Sequence, residues 1–410
     1  MSDTARGDEL DEVVEGLRAF LLTEVVPRHD RAGEGLLDPR SYYAPDGRYT
    51  PEVLDLMREV RQASARAGYY TMCVPVALGG AGLGFEALFR GWETIFRTCG
   101  TDYWLGYQAL AHWARGPGSL LAAMSAEVQK ELAPGLMDGT LSMCFAMSEP
   151  DAGSDIWAMR TGAARSGTGW VLNGTKQWIT NSPYADHAVV FAVTDREQLV
   201  ARRGGITAFA VPTSTPGFAI DSLIPMFGHS GADEGIVSLR DCTVPEDRIV
   251  GELHGGLRLA MAGVSEGRMY NSARAVGLAR WALAKAVDYA ENRVTFGKPI
   301  IENQGVSFPL AESAMEVHAA RLTGLDCARA LDRGEADRVR VSMTKAFCTE
   351  SAVRAIDRAV QVHGGMGFTN EMGLAEAWQQ VRRICVADGS AEMMRRQIAK
   401  GLRAWEAGLG

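Results

Sequence analysis

The chain has 410 residues, enough for two or three domains and a sizeable core. Hydrophobic residues make up 47% and charged residues 22%, with a formal net charge of −8, which argues against a nucleic-acid coat or a binder of anionic membranes. No apolar run approaches the ~18 residues of a transmembrane helix, and the acidic start MSDTARGDELDEVVEGL lacks the charged-then-apolar form of a signal peptide; a soluble cytoplasmic protein without membrane insertion is expected.

From the start to about residue 143 the pattern is mostly helical. Leu10, Val13, Val14, Leu17 and Leu21 recur at three and four residues and give one apolar face. Pro27 is expected to end that run, because proline cannot continue a helix interior. A second run covers residues 53–60. The stretch PVALGGAGLG (75–84) places four glycines in ten residues and reads as a loop with unusual backbone angles.

Between about 144 and 256 the period changes to two. Asn173-Gly174, set among Trp170, Val171, Leu172 and Thr175, is a strong short-range hairpin signal. Residues 187–193, 206–211 and 236–239 are short β-rich runs. Pro212, Pro216, Pro225 and Pro245 punctuate them and demote their neighbours to edges or loops. From about 257 helical periodicity returns. Val276, Leu283, Val287 and Ala290 form one apolar stripe, and Leu310, Met315, Val317 and Leu322 suggest another. GGMG (364–367) interrupts the last helices. The expected class is α+β: an N-terminal helical domain (1–143), a middle β domain (144–256) and a C-terminal helical domain (257–410).

Glycine is abundant, 46 in 410 residues against a usual ~7%, which fits tight turns or backbone pressed against a ligand. The seven cysteines form no CxxC pair and their odd number fits reduced thiols. The histidines lack HxxxH and HExxH spacing, so no metal site is expected. Residues 80–84 fail the GxGxxG pattern, Gly297-Lys298 lacks the upstream glycine of a P-loop, and GHSGA (228–232) misses the last glycine of a nucleophile elbow.

Three clusters carry candidate chemistry. CFAMSEPDAGSD (144–155) crowds hydroxyls and small residues around a proline and can aim N–H groups at a polar ligand edge; an ordinary loop is the competing reading. In KQWITN (176–181), strand alternation points Trp178 and Thr180 the same way. An aromatic wall beside a hydroxyl suits a flat heteroaromatic ligand, and a tryptophan buried in a core fits equally. In VADGSAE (386–392), Asp388 follows an apolar run. A carboxylate so placed has its pKa raised by desolvation, as a general base requires; a helix N-cap aspartate is the alternative.

In register, these segments resemble the acyl-CoA dehydrogenase family over residues 10–405. AMSEPDAGSD (146–155) is similar to its A-x-[ST]-E-P-x-A-G-S-D segment, and KQWITN to its W-I-T-N segment. YAENRVTFGKP (289–299) followed by Gln304 resembles Y-A-x-x-R-x-x-F-G-x-P then glutamine, and QVHGGMG (361–367) resembles Q-x-x-G-G-x-G. The resemblance implies a helical domain, a β-barrel-like domain and a four-helix bundle, with FAD as cofactor. It implies that Met147, Ser148 and Thr180 hydrogen-bond the flavin, Trp178 packs beside the ring, and Gly153, Ser154 and Ile179 complete that contact. Arg293, Phe296 and Gln304 are implied to hold the adenine nucleotide of a neighbouring subunit, with Gln361, Gly364, Gly365, Ser390 and Glu392 completing the grip. A homodimer or homotetramer follows from that sharing.

The implied reaction removes an α-proton and a β-hydride from an acyl thioester (acyl-CoA, or an acyl carrier protein thioester), with electron-transfer flavoprotein as acceptor. The base position carries Asp388, within Ala387-Asp388-Gly389-Ser390, where most members have tyrosine-glutamate-glycine-threonine. Aspartate is one methylene shorter, so its backbone must sit closer to the substrate. Some members place the base directly before the equivalent of Arg268; that position is Gly267 here and supplies none. The resemblance implies that Arg268 steadies the site, and that Ser154, residues 265–268 including Ser265, and Gly389 lie along the thioester and pantetheine. The small Ala387 hints at a branched or bulky acyl group. Two alternatives remain: a nitroalkane-oxidase-like flavin oxidase, with which Arg395 is also compatible, and a non-catalytic subunit that binds FAD or acyl-CoA.

Overall fold

The computed structural model describes residues 3–36, 38–227 and 229–407. The first two residues of the acidic start, Gly228 of GHSGA and the last three residues of the C-terminal region lie outside them. The chain divides into two compact units, one built from residues 1–37, 83–109 and 265–410, the other from 38–82 and 110–264.

The first unit is helical. Its main elements are α1 (Asp3–Phe20), α2 (Gly84–Cys99), α3 (Gly256–Asn292, in this unit from Ser265 on), α4 (Gln304–Asp332), α5 (Arg338–His363), α6 (Leu374–Ile384) and α7 (Ala391–Ala407). Helix α5 packs against α4, α6 and α7, and α2 packs against α4. A Cβ on Gly324 would fall 2.2 Å from the Phe89 ring, and one on Gly277 would fall 2.7 Å from the Glu93 carbonyl, so glycine sets how closely α4 and α3 approach α2. Glu93 is buried between Arg321 (2.7 Å) and Arg280, tying three helices through one carboxylate.

Two expectations change here. The first helical run does not end at Pro27. It widens into a π turn over Leu21–Val25 and resumes as the helix Val26–Arg31, with Pro27 in the first turn. The wider turn falls where proline has no N–H to give and where its ring would meet a carbonyl. The second change concerns the α4 stripe. Leu310 and Val317 are buried, whereas Met315 and Leu322 are 66% and 51% exposed. Helical spacing marks a face, and that face need not be covered within one chain.

The second unit is built on one eight-stranded sheet: β1 (Met143–Ala146), β2 (Gly162–Ser166), β3 (Gly169–Thr180), β4 (His187–Val193), β5 (Ile206–Pro212), β6 (Phe218–Leu223), β7 (Glu234–Pro245) and β8 (Ile249–Val250). The order is β6-β7-β3-β2-β4-β5-β8, with β1 parallel to β4. Pro212 and Pro245 close β5 and β7 without demoting them, and β7 lies between β6 and β3. Inward residues of β3, β7, β4 and β5 share one core, including Trp170, Leu172, Val190, Phe209 and Val237. The opposite faces of β4 and β5 meet a second core with the helix Ala126–Met137.

Asn173-Gly174 is not the hairpin turn. The turn is Gly167-Thr168, where Ser166 pairs with Gly169. Asn173-Gly174 instead marks a bulge in mid-strand, where the register with β7 jumps from Leu172↔Cys242 to Gly174↔Leu239. The Asn173 side chain bridges that gap, donating to Asp241 Oδ1 at 3.1 Å and accepting the Asp241 backbone N–H at 2.8 Å. Gly174 is required there, because a Cβ would fall 2.4 Å from the Thr161 hydroxyl.

One buried ion pair anchors the sheet to the segment after β1. The Lys176 ammonium donates to Glu149 Oε1 at 2.8 Å and to the Met147 carbonyl at 3.1 Å. The Glu149 carboxylate also accepts the N–H groups of Arg160 (2.6 Å) and Thr161 (3.0 Å). Burial opposes both charges; the donors still hold Glu149 below the usual carboxylate range, while Lys176 falls to about 8. Removing one partner strands the other charge, at a cost of about 3–5 kcal/mol. Lys176→Met is therefore expected to lower the thermal midpoint by roughly 5 °C in calorimetry, and a midpoint within ~1 °C of the parent would contradict this account.

Candidate active site

In the β unit the structure brings together the two segments singled out in the sequence. Gln177 N–H donates to the Ser148 carbonyl at 2.9 Å, one residue from the Lys176–Met147 contact. Strand β3 bulges at this point, with the register jumping from Lys176↔Val237 to Ile179↔Gly235. Trp178 adopts φ 63° and is 51% exposed, while Ile179 beside it is buried. The reading of Trp178 as a core residue is thereby excluded. A tryptophan held in the left-handed region with half its surface open is a flat apolar platform. Ser148 and Thr180 are half-buried nearby in sequence, and Gly153 and Ser154 are exposed. The side chains of Met147 and Ile179 lie in the two cores, so these two residues can offer a ligand only backbone groups.

In the helical unit a second set of exposed residues gathers at the ends of α3 and α5. The Tyr289 ring stacks on His363 with centroids 4.4 Å apart, and Arg293 lies one turn beyond Tyr289. Phe296 sits on the hairpin of residues 294–299 with φ 53° and its side chain fully exposed. Arg293, Gln304 and Gln361 are exposed as well. Gly364 has φ 58°, and neither it nor Gly365 has an atom within 4 Å of where a Cβ would stand, so the glycine turn offers open backbone.

The third cluster surrounds Asp388, in the 385–390 loop between α6 and α7. Asp388 is not the cap of α7: Ser390 is, its hydroxyl accepting Met393 N–H at 3.3 Å. Glu392 is exposed in the first turn of α7. Asp388 has φ 53° and Gly389 φ 101°. Arg268 Nε donates to the Asp388 carbonyl at 3.0 Å, and Asn271 Nδ2 donates to Asp388 Oδ2 at 2.7 Å. Lys345 is fully buried on α5 and donates to the carbonyls of Cys385 (3.0 Å) and Gly389 (2.7 Å). Burial raises the Asp388 pKa above the ordinary carboxylate value, against the pull of Lys345, Arg268 and the Asn271 hydrogen bond. Ser265 is half-buried near the base of this face of α3. Arg395 forks onto Glu350 at 2.6 and 2.7 Å.

Asn271 and Lys345 were not singled out by the sequence pattern. Arg268, Asn271 and Arg274 lie three residues apart, on one face of α3, and all three reach residues 380–388. That polar stripe was the available signal for Asn271. A lysine amid Val341, Met343, Ala346 and Phe347 was the signal for Lys345.

Residues 144–242 match the acyl-CoA dehydrogenase middle domain, and residues 254–403 match the acyl-CoA dehydrogenase C-terminal domain. The human mitochondrial short-chain specific acyl-CoA dehydrogenase is 36% identical over 332 residues, 81% of this chain and 79% of that protein. The acyl-CoA dehydrogenase of Bacillus subtilis is 34% identical over 329 residues, 80% of this chain and 85% of that protein. Among solved structures, the acyl-CoA dehydrogenase of Geobacillus kaustophilus superposes with a TM-score of 0.82 at 26% identity, covering 96% of this chain and 98% of that one. The chain belongs to the acyl-CoA dehydrogenase family, a family of FAD-dependent oxidoreductases.

Proposed function

We propose that this enzyme dehydrogenates an acyl thioester at its α and β carbons, with Asp388 as the base that takes the α-proton. The observation that carries the reading is that one residue presents both groups the step needs. The Asp388 carboxylate is desolvated enough to be basic, and no described residue accepts its backbone N–H. An α-C–H is weakly acidic, so charge develops on the thioester oxygen as the proton leaves. A free N–H beside the base can donate to that oxygen while the carboxylate accepts the proton. FAD, when bound, supplies the acceptor for the β-hydride. The exposed Trp178 platform, with Ser148 and Thr180, fits the flavin ring, and the open Gly364-Gly365 backbone fits a diphosphate. Arg268 holds the base loop by its carbonyl. Ser265 and Gly389 lie along the thioester and pantetheine, and Ala387 leaves room for a branched or bulky acyl group.

Acyl-CoA is the proposed substrate and electron-transfer flavoprotein the proposed acceptor. A homodimer or homotetramer is supported by the fully exposed Phe296 and by Phe308, Met315 and Leu322. These three are exposed at seven-residue spacing on α4, the spacing of a stripe that packs against another helix.

Anaerobic titration with a panel of acyl-CoAs is expected to bleach the flavin band with one acyl class, and Asp388→Asn is expected to abolish the bleaching with FAD still bound. Bleaching retained in Asp388→Asn would remove Asp388 as the base. In the parent enzyme the rate of flavin reduction is expected to fall as pH drops through an Asp388 pKa above 3.8, because only the ionised carboxylate accepts a proton. Phe296→Ser is expected to lower FAD content and shift the oligomer towards monomer in size-exclusion chromatography with light scattering. An unchanged FAD content and mass would remove Phe296 from the subunit-bridging role.

A further inference from the structure

Asp388 combines two unfavourable states. Its backbone is left-handed, which costs a non-glycine residue of order 1 kcal/mol even though aspartate tolerates it better than most. Its carboxylate is desolvated and still has to be ionised to work. Such a residue persists only where its surroundings over-determine it, and here they do. The carbonyls of Cys385, Asp388 and Gly389 each accept a hydrogen bond from a cation on another helix, Lys345 of α5 for two of them and Arg268 of α3 for the third. The carboxylate itself receives one side-chain donor. An ionised carboxylate only accepts, so the Asn271 amide presents its NH2 group to Oδ2. No described residue donates to Oδ1. Asn271 is 3% exposed and Lys345 0%, so neither is a surface group whose contact is incidental.

We infer that Asn271 and Lys345 are positioning residues for the base. Asn271 engages Oδ2 and leaves Oδ1 as the oxygen that meets the α-proton, and Lys345 clamps the loop on both sides of Asp388 in the conformation that presents it. The inference rests on the reading of Asp388 as the base. The geometry matters more for aspartate than for a longer side chain, because the missing methylene removes reach that side-chain rotation could otherwise supply. The charged and titratable groups facing this centre are Arg268 from α3, Lys345 from α5, and Cys385 and Asp388 in the loop; Glu350 also acts on Lys345, and Arg338 on Arg268. Burial opposes the Asp388 charge, while Asn271 and Lys345 favour it. Removing either is expected to move the ionisation of Asp388 upward.

The test follows the Asp388 carboxyl stretch by difference infrared spectroscopy of the FAD-loaded enzyme against pH, with Asp388→Asn as the subtraction. Flavin reduction by acyl-CoA is measured on the same samples. Asn271→Leu, close in shape, is expected to raise the ionisation midpoint by about one pH unit and to slow reduction about tenfold below it. Asn271→Asp places a second carboxylate against the first and is expected to raise it further. Lys345→Met is expected to raise it as well; if that variant fails to fold, the Asn271 series decides. A purely structural role for Asn271 would not order the three side chains by charge, so midpoints that stay at the parent value overturn the inference. Asp388→Asn that still reduces its flavin overturns the base reading instead, and the inference with it.

Discussion

A carboxylate that deprotonates carbon must be ionised and poorly hydrated at once, and these demands oppose each other. Water that stabilises the charge also quenches its basicity, so the charge has to be stabilised by fixed groups. Around Asp388, the proposed base of this chain, the fixed groups come from two helices. Arg268 and Asn271 on α3 and Lys345 on α5 converge on the six-residue loop between α6 and α7. Most of their hydrogen bonds go to backbone carbonyls. The loop is held as a shape, and the carboxylate receives one direct donor.

The β unit applies the same logic to a different end. Lys176 and Glu149 are buried charges whose partners include the Met147 carbonyl and two backbone N–H groups. They fix where the segment after β1 runs, and the bulge in β3 then turns Trp178 outward while Ile179 stays in the core. A side chain that would bury in a regular strand is thereby left open. In both units a buried cation fixes backbone, and the backbone presents a residue of the candidate site.

The class of fold was legible in the sequence, as were the segments that form the candidate site, because period, glycine and motif are local properties. The features that were not legible depend on partners distant in the chain. Pro27 reads as a stop only if the helix stays α; a π turn accommodates it, and nothing in the local pattern distinguishes the two. Asn173-Gly174 has the composition of a hairpin turn, and what makes it a bulge is Asp241, 68 residues away. Met315 and Leu322 obey the helical period of Leu310 and Val317 and yet are exposed, since periodicity identifies faces and says nothing of what covers them. Asn271 and Lys345 lie 117 and 43 residues from Asp388, and neither falls in a motif.

Strands β4 and β5 carry a consequence for how the sheet finds its alignment. On β4, Ala188, Val190 and Ala192 face one core while Val189, Phe191 and Val193 face the other. Both faces are apolar, so polarity cannot choose between one alignment and its one-residue slip, as it does in a half-solvated strand. Volume has to choose instead. A slip would drive Phe191 into space shaped for alanine and leave a void where the ring had been, and a close-packed interior tolerates neither. Alignment in the middle of this sheet is thus encoded in side-chain size, a code that a substitution between two equally apolar residues can corrupt.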